Sequence, residues 1–188
     1  ALDNPEDGAL DALGRILVAD TDNNRISVFD ADGKFLAAFG KGVNASDGKD
    51  ICDATSGCLA GAASDVAGAL GAPRGLAVET LVYVADTGNN RISVFNPELQ
   101  FVGAIGEEVA PGGGDNCTVV SGCQGGGAGT ALGEMNEPTD LAFAPGNRLA
   151  VANTRATAGS TSWMGKRASC GLSEPGSTPG TAATSARS

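Results

Sequence analysis

The sequence predicts an all-β protein built from repeated four-stranded antiparallel units, and three observations carry that. A ten-residue stretch occurs twice, Asp20-Thr-Asp-Asn-Asn-Arg-Ile-Ser-Val-Phe29 and Asp86-Thr-Gly-Asn-Asn-Arg-Ile-Ser-Val-Phe95, identical at nine of ten positions. Self-similarity at a fixed spacing marks a repeat architecture. Short apolar runs bounded by Gly, Pro, Asn or Asp flank both copies, as the strands of a meander do. Within Arg25–Phe29 the side chains alternate, so Ile26 and Val28 share one face.

The elements follow in order. Each unit opens on a proline, in Pro5-Glu-Asp-Gly-Ala-Leu10, Pro73-Arg-Gly-Leu-Ala-Val78 and Pro138-Thr-Asp-Leu-Ala-Phe143. A proline at a strand's start takes no N–H from the ladder. A turn comes next (Ala12-Leu13-Gly14; Ala144-Pro145-Gly146), then a second strand over Ile16–Ala19. The repeated motif supplies a polar turn, which Asp and Asn suit because their side chains bond nearby backbone and tolerate left-handed conformations. Arg25–Phe29 is the third strand. Asp30-Ala-Asp-Gly33 is a hairpin whose glycine supplies a positive φ, and Phe35–Phe39 is the fourth strand.

The period is long, 66 residues from Asp20 to Asp86 and 67 from Asp86 to Asn153. The chain therefore divides into a first unit (1–40), an insert (41–70), a second unit (71–106), a second insert (107–135), the first half of a third unit (136–155) and a tail (156–188). The inserts also repeat: Asp50-Ile-Cys-Asp-Ala-Thr-Ser-Gly-Cys58 matches Asp115-Asn-Cys-Thr-Val-Val-Ser-Gly-Cys123. Loops of this length are either binding elements or free linkers.

The third unit proceeds through Leu149–Thr154 and then loses the pattern. The tail is rich in Gly, Ser, Thr and Pro and reads as disordered. A second reading comes from the genetic code. Codons exist for Ala156–Gly176 that, read from the third base of the Ala156 codon, spell NRRIDVLDGKAGELRAFGTG, which resumes the repeat in register. On that reading residues 156–188 are a frameshift product, and neither Trp163 nor Cys170 carries a functional argument.

Charge and composition exclude whole classes. The chain carries 12 Lys and Arg against 22 Asp and Glu, for a net charge of −10. Such a surface repels phosphate backbones and anionic membranes, so no nucleic-acid partner is expected. The absence of histidine removes the usual metal ligand and the usual general base at neutral pH. No run of 18 apolar residues appears, so membrane insertion is not expected, and the first residues lack the pattern of a signal peptide. Because the chain begins inside a repeat, a fragment or processed product is expected.

The motif Val84–Phe95, preceded by Pro73–Val78 and followed by Phe101–Gly106, resembles the NHL repeat. The resemblance implies a partial β-propeller of four-stranded antiparallel NHL blades, two complete and one broken, joined by long Gly-rich inter-blade loops. NHL propellers usually carry six blades, so this chain departs from the family in number. The Cys-containing inserts are similar to those of bacterial NHL proteins of the secreted or surface-attached type. Terminal blades of an open fragment expose apolar faces, which implies self-association.

Candidate residues reduce to a few. Cys52 with Cys58, and Cys117 with Cys123, suit short disulfides of an oxidising compartment. Free thiols and a four-cysteine zinc site are the alternatives, the zinc spacing being the poorer fit. Asp20-x-Asp22-x-Asn24 resembles the start of a calcium loop but lacks its later Gly and Glu. Copy two writes Gly88 for Asp22, so a structural turn is expected and no metal. Arg25 and Arg91 are expected to bond turn carbonyls. Asn44-Ala-Ser and Asn116-Cys-Thr form glycosylation sequons. The residues after each proline, Glu6, Asp7, Arg74, Thr139 and Asp140, should line one axial mouth and are the ligand-face candidates.

The expected function is an extracellular or cell-surface binding or scaffold module for a protein or glycan, with no catalytic residue and no cofactor. The alternative is a fragment of a propeller lyase or hydrolase whose catalytic residues lie outside this chain.

Overall fold

The apolar runs of the first unit become strands of one antiparallel sheet. The computed structural model describes residues 1–129, 134–146 and 148–154, together with the backbone of 161–164. Strands β1 (Pro5–Leu10), β2 (Ile16–Asp20), β3 (Arg25–Phe29) and β4 (Phe35–Phe39) lie in sequence order. The β3–β4 hairpin closes on Gly33 at φ 78°, with Gly33 N–H donating to Asp30 O at 3.0 Å.

The sheet does not stop at four strands. The insert contributes β5 (Ile51–Asp53), which pairs with β4 through Ala37↔Asp53, Ala38↔Cys52 and Phe39↔Ile51. The second sheet repeats this with β6 (Pro73–Val78), β7 (Val82–Asp86), β8 (Arg91–Phe95), β9 (Phe101–Ala110) and β10 (Gly114–Thr118). The four-stranded expectation is corrected to five. A fourth strand left as an edge presents unpaired N–H and C=O groups, and the cysteine-bearing segment of each insert pairs with them. β9 also runs past Gly106, four residues into the span expected to be insert.

A third sheet holds β11 (Pro138–Ala144), β12 (Arg148–Asn153) and β13 (Thr161–Met164). β13 falls in the tail expected to lack strands. Its backbone pairs with β12 from Leu149↔Met164 to Ala152↔Thr161, as Ala19 pairs Ile26 and Ala85 pairs Ile92. Backbone groups along β12 need partners whatever sequence follows, and Thr161 and Trp163 are strand-favouring residue types. The rest of the tail, including Cys170, lies outside the described residues.

The cores lie between sheets. Leu17, Ile26, Val28 and Phe39 of the first sheet meet Leu76, Val82, Val84 and Phe95 of the second, with Leu70 of the connector among them. Ala85, Ile92, Val94 and Ile105 on the second sheet's other face meet Leu141, Leu149 and Val151, with Met135 in Leu70's role. The first strands β1, β6 and β11 lie side by side. Sheets stacked face to face with their first strands together form the blade arrangement of a propeller.

Candidate functional site

The motif turn is the best-bonded part of each blade. Asp20 accepts from Asp3 N–H at 2.7 Å, Asn23 Nδ2 at 2.9 Å, Arg25 Nε at 2.7 Å and Ser27 Oγ at 3.1 Å. Asp86 repeats the set with Gly71 N–H at 2.7 Å, Asn89 Nδ2 at 2.9 Å, Arg91 Nε at 2.8 Å and Ser93 Oγ at 2.9 Å. Both carboxylates are fully buried. Burial pushes the Asp86 carboxyl above its ordinary range, opposed by the Arg91 charge and by the donors around it.

The guanidinium forks reach outward. Arg91 Nη1 donates to Asp65 O at 2.7 Å and Gln124 O at 2.8 Å, and Nη2 donates to Val66 O at 3.1 Å and Ala69 O at 2.8 Å. Arg25 donates to Leu59 O at 2.8 Å and Ala1 O at 3.2 Å. The arginines do bond carbonyls, though the carbonyls belong to the flanking connectors rather than to the turn. Five donors in a rigid fork suit that task.

Sequence reasoning missed a second use of the motif. Thr21 Oγ1 donates to Pro73 O at 2.8 Å, and Thr87 Oγ1 to Pro138 O at 2.6 Å. Asn24 Oδ1 accepts from Ala72 N–H, and Asn90 Oδ1 from Glu137 N–H, both at 2.9 Å. Each motif turn thus latches the next blade just ahead of and at its opening proline. The signal was present: Thr and Asn recur in both turns while Asp22 gives way to Gly88. Asn24 and Asn90 hold left-handed φ of 48° and 49°, a conformation Asn tolerates.

The ligand-face candidates form two rows along the adjoining first strands. In the first row, Arg74 stands between Glu6 and Thr139. Arg74 Nε is 3.6 Å from Glu6 Oε2, an ion contact too long for a hydrogen bond. That nitrogen is buried and has no hydrogen-bond partner, although the side chain as a whole is 41% exposed. In the second row, Gly75 stands between Asp7 and Asp140. A Cβ on Gly75 would lie 2.6 Å from Asp140 Cα, so only glycine admits β11 this close.

The two aspartates serve the backbone. Asp7 Oδ1 accepts from Gly8 N–H, and Oδ2 reaches across to Leu76 N–H, both at 2.7 Å. Gly75 has no carboxylate to offer Leu76, so the preceding blade supplies one. Asp140 accepts from its own Leu141 N–H at 2.8 Å. Thr139 Oγ1 reaches Ala152 O at 3.4 Å.

Cys52–Cys58 and Cys117–Cys123 are bonded, with Cα–Cα distances of 5.5 and 5.4 Å. Cys52 packs with Ala38 and Val43, and Cys117 with Ala104 and Val109. Each disulfide pins a fifth strand and its turn. Asn44 of the first sequon has its amide committed to Ile51 O at 2.9 Å, while Asn116 of the second is exposed on β10. Among the described residues no three His, Cys, Asp or Glu side chains gather as a metal set, and no helix is long and apolar enough to cross a membrane.

The family model of the NHL repeat matches residues 2–29, which is blade 1 through its motif strand. No curated protein matches the chain. Internal identity extends the likeness to blade 2. The antiparallel sheets and the match over residues 2–29 are consistent with a β-propeller fragment that carries an NHL repeat.

Proposed function

We propose that the chain is a segment of an extracellular or cell-surface NHL propeller that binds or scaffolds a protein or glycan. One observation carries the reading. The polar groups that recur between blades are used up in joints, whereas those that differ between blades stand along the first strands. Glu6, Arg74, Thr139 and Asp140 are the ligand-face residues; Asp7 supports them by joining blade 1 to blade 2. Two carboxylates, one guanidinium and one hydroxyl in two adjacent rows suit a polar, hydroxyl- or amine-bearing ligand. Two disulfides in short loops support an oxidising compartment. The chain acts by binding, without catalytic residues or cofactor, and associates with further copies through its uncovered blade face.

The test is a screen of the full chain against glycans and secreted proteins, followed by a Glu6→Ala/Arg74→Ala variant. A ligand of this face loses about tenfold or more in affinity, the usual cost of truncating interface hot spots, while Arg15→Ala leaves it unchanged. A ligand indifferent to the first variant, or glycan turnover by the chain alone, overturns the reading.

A further inference from the structure

A cavity of about 590 Å3 opens among the outer strands, between the first insert and the β8–β9 hairpin of blade 2. Its size falls within the ~300–1,000 Å3 of small-molecule sites. Ile51, Leu99, Phe101 and Val119 supply apolar wall, and the charged lining is Lys41, Lys49 and Asp50, two cations to one anion.

The floor is built at a conformational cost. Leu99 has a φ of 67°, in the left-handed region, where blade 1 places Gly33 at the same turn position. The two turns close alike, Leu99 N–H donating to Asn96 O at 2.9 Å and Gly33 N–H to Asp30 O at 3.0 Å. Leucine resists that conformation, and its side chain is held there by burial between blades 1 and 2, with 6% exposed. Val119 is also specific to this place. It stands on the Cys117–Cys123 loop where the first insert has Ala54.

The charges run against the chain's own sign. Lys41 and Lys49 are two of only four lysines in a chain of net charge −10. Lys41 Nζ meets Asp50 at 3.1 Å and Lys49 Nζ meets Asp47 at 2.6 Å, with 42% and 78% of the lysine side chains exposed. Ion pairs this exposed contribute little, so a ligand carboxylate can replace either partner.

We propose that this cavity binds an amphiphilic carboxylate. An aromatic ring or short acyl chain lies against Ile51, Leu99 and Phe101, and the carboxylate meets the ammonium groups of Lys41 and Lys49. The site is separate from the first-strand rows and stands whether or not those rows bind a ligand.

Calorimetric titration of the full chain with octanoate, 4-phenylbutyrate and neutral 1-octanol tests it. One site per chain is expected for both carboxylates, with octanol weaker by about tenfold, as two partly exposed charge contacts provide. Lys41→Glu/Lys49→Glu should erase the preference for octanoate over octanol, and Lys34→Glu should leave it intact. Leu99→Gly suits the turn but removes a buried side chain, so it is titrated only after circular dichroism shows a wild-type spectrum and melt, and it should then weaken 4-phenylbutyrate several-fold by removing the floor. The proposal fails if octanoate does not bind at millimolar concentration or if octanol binds as tightly. It also fails if Lys34→Glu matches the double variant, or if Phe29→Lys on the uncovered face of blade 1 abolishes the binding instead.

Discussion

Blades 1 and 2 carry the same motif residues in different surroundings. Phe95 is 2% exposed, whereas its counterpart Phe29 is only half-buried. Val82 and Val84 are buried, whereas Ile16 and Val18 are not fully so. Leu70 is fully buried and Leu2 is 39% exposed. The difference is the neighbour. Blade 1 covers blade 2, and no described residue covers the corresponding face of blade 1. A blade therefore supplies only half of its own core, as the units of stacked repeats do.

The strongest way to break that comparison is to remove the two arginines in turn. Arg91 is fully buried and holds Asp86 and four carbonyls, while Arg25 keeps 7% exposure and holds Asp20 and two. Arg91→Ala leaves a buried carboxylate without its charge partner and should cost about 3–5 kcal/mol. Arg25→Ala should cost clearly less. Urea unfolding of the two variants measures both, and equal losses would show that blade 2's extra bonds add nothing.

Phenylalanine truncation sharpens the same point through packing alone. Phe95→Ala empties a covered position between blades and should cost about 3–5 kcal/mol, with part of that from the cavity left behind. Phe29→Ala opens no enclosed cavity, and its cost should be about half or less. It should also reduce concentration-dependent association in sedimentation. A Phe29 variant as damaging as the Phe95 variant would mean that the blade 1 face is covered after all.

These differences explain what was legible in the sequence. The strands β2, β3 and β4 could be placed to within a residue because alternation and turn chemistry are local. So could the cysteine pairs, six residues apart. The fifth strands could not, since Ile51–Asp53 and Gly114–Thr118 have no strong β pattern and pair only because an adjacent edge needs partners. The latch residues Thr21 and Asn24 looked like turn formers because their second partners lie about 50 residues away. Among the site candidates, spacing after a proline put Glu6, Arg74 and Thr139 on the adjoining strands β1, β6 and β11. It could not separate Asp7, tied to Leu76 N–H, from Glu6 beside Arg74. That distinction depends on the missing side chain at Gly75, on another blade.

The smallest expected effect distinguishes the two inserts. Asp53 caps its disulfide loop by accepting from Thr55 Oγ1 at 2.7 Å and from the Thr55 and Ser56 N–H groups at 2.8 Å. The Thr55 hydroxyl first, then these N–H groups, draw its pKa down from 3.8 to about 2. A depressed carboxyl contributes stability that is present above its unfolded value and lost as pH falls through its folded value. The window is therefore pH 3.8 down to about 2. In the second insert Thr118 occupies this place, and Ser121 N–H donates to its neutral hydroxyl at 3.2 Å. Amide NMR should show Thr55 and Ser56 titrating with a midpoint near 2 while Ser121 stays still. The Cys52–Cys58 bond keeps the ends of the loop together, so the opening should stay local. A midpoint at the ordinary 3.8, or equal titration in both loops, would remove the carboxylate cap as the difference between them.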